Sequence, residues 1–112
     1  MISKEMIGAS TVPIILSILM EGEDYGYEII KKVKGYSGGQ LEWSEPMLYP
    51  VLHRLERGGH ITASWKVLEN SRKRKYYAIT PEGKALLEVK KSEWGQMILM
   101  LSNMWGLNLQ TS

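Results

Sequence analysis

Apolar positions along this chain change their spacing from segment to segment, and each spacing predicts an element. In IILSILM (14–20) they run almost unbroken behind Ser10, Thr11 and Pro13. Two polar residues and a proline predict a capped helix start there, with the proline in the first turn, and an end near Glu21-Gly22. The preceding KEMIGA either extends this helix or forms a separate turn. In YGYEIIKKVKGY (25–36), Tyr25, Ile29 and Val33 recur every fourth residue. With Asp24 as N-cap and lysines toward the end, this is a second helix, stopped by Gly35 or by Gly38-Gly39. Ser44 is the N-cap of a third, whose start suits Glu45 and Pro46. Leu48, Val51, Leu52 and Leu55 share its apolar face, Met47, Tyr49, Pro50, His53, Arg54 and Arg57 the other, and Gly58-Gly59 ends it.

The period then becomes two. ITASWKVLE alternates Ile61, Ala63, Trp65 and Val67 with Thr62, Ser64, Lys66 and Leu68, and KYYAIT gives a second short strand, with Glu69 to Arg74 closing the hairpin. Thr80-Pro81-Glu82 repeats the order of cap, proline and acid, opening a last helix that reaches about Trp105. Leu87, Trp94 and Leu101 fall seven apart on it, with Met97, Ile98, Met104 and Trp105 nearby. That stripe is longer than the domain it would cover, so these residues are expected to form a homodimer interface.

The elements add up to an α+β, mainly α chain: a winged helix-turn-helix with a two-stranded wing and a long C-terminal dimerisation helix. Residues 1–80 are read as the DNA-binding unit and 81–112 as the dimerisation helix and tail. At 112 residues a single core is the simplest arrangement. No run of 18 uncharged apolar residues exists to cross a bilayer. Glu5 interrupts any secretory leader, and cysteine is absent, so the reading is a cytoplasmic protein.

Net charge is only +2, but it is segregated. Between 66 and 75, Lys66, Arg72, Lys73, Arg74 and Lys75 face Glu69 alone; between 21 and 28, Glu21, Glu23, Asp24 and Glu28 meet no base. A polyanion is drawn to the first segment and repelled by the second. Catalysis lacks a constellation: His53 and His60 have no cysteine or carboxylate at metal-ligand spacing, and no glycine-rich phosphate loop opens a helix. Neither a metal nor another cofactor is expected.

Binding duplex DNA requires a helix that fits the major groove, side chains that reach base edges, and cations or amides that fix phosphates. The helix from Ser44 supplies Ser44, Glu45 and Met47 toward the bases, with His53 and the Tyr49 hydroxyl toward groove or phosphate. Arg72, Lys73, Arg74 and Lys75 lie on the backbone or in the minor groove, and Tyr25 and Tyr27 flank a further phosphate at the start of the preceding helix. A protein-interaction module that turns the same basic wing toward an acidic partner is the alternative.

YGYEI (25–29), LYPVLHRLERGGHI (48–61) and RKYYAITPEG (74–83), in this order and spacing, resemble the PadR family of winged helix-turn-helix transcriptional regulators. The single C-terminal helix resembles the smaller PadR subgroup. The resemblance implies a homodimer whose last helix embraces the partner, recognition helices on successive major grooves of an inverted repeat, and repression relieved by a small molecule. More narrowly, KEM (4–6), the 25–33 helix and the position of Trp94 resemble PadR-type regulators of multidrug exporters, in which paired tryptophans sandwich flat aromatic drugs. That resemblance implies an effector pocket at Met6, Ala9, Leu16, Trp94 and Ile98. Pro13 stands where those regulators have a valine-like residue and Ile98 where they have an acid, which implies a more apolar pocket less suited to cations.

Overall fold

The computed structural model describes residues 2–70 and 72–108 as α1 (Lys4–Met20), β1 (Asp24–Tyr25), α2 (Gly26–Tyr36), α3 (Glu45–Arg57), β2 (Ile61–Val67), β3 (Lys73–Ile79) and α4 (Pro81–Trp105). Helix α1 starts a full two turns before the expected cap. Its cap is Ser3, whose hydroxyl accepts from the Met6 amide at 3.3 Å. Ser10 and Thr11 instead donate to the Ile7 carbonyl, at 3.1 and 2.6 Å, as hydroxyls do inside a helix. Pro13 is therefore internal, and KEMIGA extends the helix.

Asp24 does not cap α2. That position belongs to Tyr25, which makes no side-chain cap bond, while Asp24 begins the short strand β1. Its buried carboxylate accepts from the Lys32 ammonium at 2.6 Å and from the Tyr25 amide at 3.0 Å. Two residues are too few to show an alternation, so β1 left no trace in the hydrophobic pattern. Gly38 and Gly39, at φ 62° and 85°, follow the end of α2, and the Gly39 amide closes onto the Lys34 carbonyl.

The sheet order is β1-β3-β2, all antiparallel, with Tyr25 opposite Tyr76 and Ile61 opposite Ile79. The hairpin is shorter at its turn than expected. Lys73, Arg74 and Lys75 are residues of β3, paired with Val67, Lys66 and Trp65, so only Arg72 of the basic cluster belongs to the turn. The positive charge thus runs along the wing instead of crowning its tip.

The core gathers Ile15, Leu16 and Leu19 of α1 with Ile29, Leu48 and Leu52, all within 2% of complete burial. Ile61, Tyr77 and Leu87 close it from the sheet and α4. Burial of one such leucine stabilises the fold by about 1.5–3 kcal/mol. The start of α4 is locked to the wing: Thr80 donates its hydroxyl to the Gly59 carbonyl at 2.7 Å and its amide to the His60 carbonyl, and its oxygen accepts from the Gly83 amide. A β-carbon at Gly83 would stand 2.0 Å from the His60 carbonyl oxygen, so only glycine fits this crossing. Leu87, expected at a dimer interface, is instead sealed in this core at 1% exposure. Beyond Trp94 most of the helix is exposed, with Leu101 half-buried and Ser102 buried. At about 1.5 Å per residue, its 25 residues span roughly 37 Å, and they draw the molecule out to 55 Å along its longest axis.

Candidate nucleic-acid interface

Helix α3 buries Leu48, Val51, Leu52 and Leu55 and turns Glu45, Tyr49, His53, Arg54 and Arg57 outward. Met47, expected among the outward residues, packs half-buried against the core. Ser44 occupies the N-cap, but its hydroxyl makes no cap bond; its carbonyl accepts from the Met47 and Leu48 amides. The first turns of both α2 and α3 therefore keep backbone donors that no cap side chain fills.

Those two helix starts and the wing enclose an open depression of about 550 Å³, lined by Tyr25, Gly26, Tyr27, Glu45, Tyr49 and His53 on the helical side and by Trp65, Lys73, Arg74, Lys75 and Tyr77 on the sheet side. Gly26 admits the Tyr49 ring to the start of α2: a β-carbon there would lie 2.7 Å from the Tyr49 oxygen. Burial, and then Glu45, raise the Tyr49 phenol above its ordinary value, so it stays a neutral donor at physiological pH. Burial likewise raises Tyr77, with Tyr49 and Glu56 adding to the effect.

The wing cations are held in three ways. Arg74 stacks on the Tyr25 ring at 4.0 Å, and that ring meets Tyr76 edge-on at 5.3 Å. Lys66 pairs with Glu23 and lies over Tyr76, which turns it toward the acidic segment. Lys75 approaches Glu56 at 3.8 Å. Among the described residues Arg72 and Lys73 have no ion-pair partner, and Lys73 borders the depression. Ring stacking and ion pairing thus orient Arg74, Lys66 and Lys75 before any ligand arrives.

A second hollow, about 610 Å³ and almost wholly apolar, lies where α1, α2 and the 37–41 segment meet α4. Pro13, Ile14, Tyr36, Leu41 and Leu87 line it with Trp94, and Glu21, Lys90 and Lys91 contribute to its edge. Of Met6, Ala9, Leu16, Trp94 and Ile98, only Trp94 borders this hollow. Leu16 is fully buried in the core, while Met6, Ala9 and Ile98 are exposed on α1 and α4.

The pattern of the PadR-like transcriptional regulator family matches residues 15–89, which takes in the core, both helix starts and the wing. The chain belongs to the PadR-like family. It is 34% identical over 97 residues to uncharacterized protein X of Lysinibacillus sphaericus, covering 87% of this chain and 89% of that one. The solved structure of a transcriptional regulator from Clostridium thermocellum Cth-833 superposes with a TM-score of 0.82 at 34% identity, covering 89% of this chain and 97% of the other. The PadR-like transcriptional regulator BC4206 of Bacillus cereus gives 0.79 at 31% identity, over 91% and 97% of the two chains. This PadR-like chain is thus a transcriptional regulator and not an enzyme.

Trp65 and Tyr77, which carry no DNA-binding signal of their own in the sequence, also border the PadR-like chain's depression. Tyr77 shares its strand face with Lys73 and Lys75 of β3, and Trp65 shares its own with Ile61; following this face across the hairpin leads to both. No helix among the described residues is long and apolar enough to cross a membrane.

Proposed function

We propose that this chain is a homodimeric repressor that binds an inverted-repeat operator through the depression between α2, α3 and the wing, and releases it on binding a small hydrophobic or aromatic effector. The observation that carries the reading is the convergence of two unfilled helix starts, an outward polar α3 face and the basic strand β3 on one surface. In this arrangement the first turns of α3 enter the major groove, where Glu45 accepts from cytosine and His53 lies nearer the backbone. The Tyr49 hydroxyl, Tyr27 and the free amides of α2 meet one phosphate strand, and Arg72, Lys73, Arg74 and Lys75 meet the next.

An interaction module for an acidic protein surface would expose apolar side chains on α3. Met47 instead packs inward and Tyr49, His53, Arg54 and Arg57 remain outside, which favours the DNA reading. Dimerisation is supported by the far part of α4, where Met97, Ile98, Met104 and Trp105 are exposed and Leu101 is half-buried. The apolar hollow beside Trp94 supports an effector without a strong positive charge.

A nuclease footprint upstream of the chain's own gene tests the reading. Two protected half-sites about one helical turn apart are expected. No protection there or on any duplex would remove DNA binding from the account. For the effector, planar aromatic compounds should quench wild-type tryptophan fluorescence and lose that quenching in Trp94→Phe; identical quenching in both would exclude Trp94.

A further inference from the structure

The inner face of the β2–β3 hairpin carries apolar side chains further than the core does. Ile61 is 1% exposed, yet two pleats along the same face Trp65 is 65% exposed, and Val67 follows at 70%. Exposing an indole to water is unfavourable, and most proteins bury most of this side chain. Opposite Trp65 stands Lys75, and opposite Val67 stands Lys73, so this apolar extension is bordered by cations. Trp65 also borders the depression that Tyr49 and His53 of α3 enter from the other side.

We propose that Trp65 is an uncharged anchor on duplex DNA, its indole lying along the deoxyribose edge of the backbone strand that Lys73 and Lys75 hold. The inference rests on the DNA-binding reading and adds a residue and a kind of contact to it. Charge complementarity selects the occupant. A second copy of this chain would bring the exposed methionines and leucines of α4, which gain nothing from lysines beside them, whereas a nucleic-acid backbone presents apolar sugar carbons between anionic phosphates. Lys73 and Lys75, two residues apart on one face, stand about 7 Å apart, a separation that reaches adjacent phosphates while leaving the intervening sugar to the indole. Such a contact adds affinity without counterion release and without reading sequence.

The experiment measures binding of a fluorescein-labelled random-sequence duplex by anisotropy over a range of salt concentrations, for wild type, Trp65→Ala, Trp65→Phe and Lys73→Ala. Trp65→Ala is expected to weaken binding about tenfold at every salt concentration, as loss of a central aromatic anchor does, with the slope of log affinity against log salt unchanged. Trp65→Phe should recover most of the loss, whereas Lys73→Ala should flatten the slope by about one unit. Because the side chain is exposed, Trp65→Ala should melt within about 3 °C of wild type. Wild-type affinity in Trp65→Ala, or a flattened slope like that of Lys73→Ala, overturns the proposal and leaves the DNA reading standing. Loss of dimer in Trp65→Ala by sedimentation, with the duplex still bound, would assign the residue to a copy interface and overturns it too. Failure of the wild-type protein to bind any duplex overturns both.

Discussion

Two tryptophans of this chain lie almost equally open to water in opposite surroundings. Trp65, 65% exposed, sits on the wing among Lys73, Arg74 and Lys75; Trp105, 63% exposed, ends a helix that also exposes Met97, Ile98, Leu99 and Met100. Exposure alone does not say what covers a surface, but its company does. An apolar strip rich in methionine and leucine suits another apolar strip, while an indole between cations suits a polyanion with apolar sugars. The same α4 makes the contrast in a second way: Leu87 near its start is sealed in the core, and the turns after Trp94 are not.

The largest effect is expected where the far part of α4 is broken. Changing Met97 and Ile98 together to Glu should give monomers by sedimentation velocity and weaken operator binding by about a hundredfold or more, because a bivalent contact becomes monovalent; secondary structure should persist. A dimer that survives this change would place the interface elsewhere. At the near part, Leu87→Ala should destabilise the fold by about 2–4 kcal/mol in urea unfolding, without changing the operator affinity of folded protein. Taken together, the two variants separate the helix into a partner-facing part and a core-facing part.

On the wing, Lys73→Ala, Arg74→Ala and Lys75→Ala combined should weaken duplex binding about 10- to 30-fold near physiological salt and flatten the salt slope by roughly two to three units. Dimerisation should be untouched. The smallest effect tests a pair outside both surfaces. Lys32→Met leaves the buried Asp24 carboxylate with only the Tyr25 amide, and should cost about 1 kcal/mol, a small figure because the Lys32 side chain is 37% exposed. Its hydrogen bond to Asp24 raises the Lys32 pKa above 10.5. A raised folded pKa contributes stability that is complete below the unfolded value and disappears as pH rises through the folded one. Tyr49 and Tyr77, raised above 10.0 by burial, act in the same direction. Stability should therefore be lost on the alkaline side, above about pH 10, and Lys32→Met should reduce that alkaline loss when followed by thermal melting against pH.

Much of this architecture was legible because several local rules agreed at one place. Thr80-Pro81-Glu82 located the start of α4, and Gly106 at φ 66° follows its end at Trp105. Helix α3 was equally clear from its apolar face and its two terminal glycines. The errors came from residues able to play two parts. Ser10 and Thr11 resemble a cap, yet they bond back to Ile7, because the helix already starts upstream, where the Ser3 hydroxyl caps it through the Met6 amide. Asp24 also resembles a cap, but a lysine eight residues on captures its carboxylate. Met47 lies on the outward side of a simple helical wheel, yet packs against the core. Nothing in one segment alone announces Trp65 as part of the depression, because that depends on where the core ends beneath the hairpin, a tertiary fact.

The most direct test of the account is hydrogen–deuterium exchange of the dimer with and without operator duplex. Slowed exchange is predicted at 25–28, 44–53 and 65–75, with 97–105 already protected in the free dimer and unchanged by DNA. New protection at 97–105, with the helix starts and the wing unaffected, would contradict it.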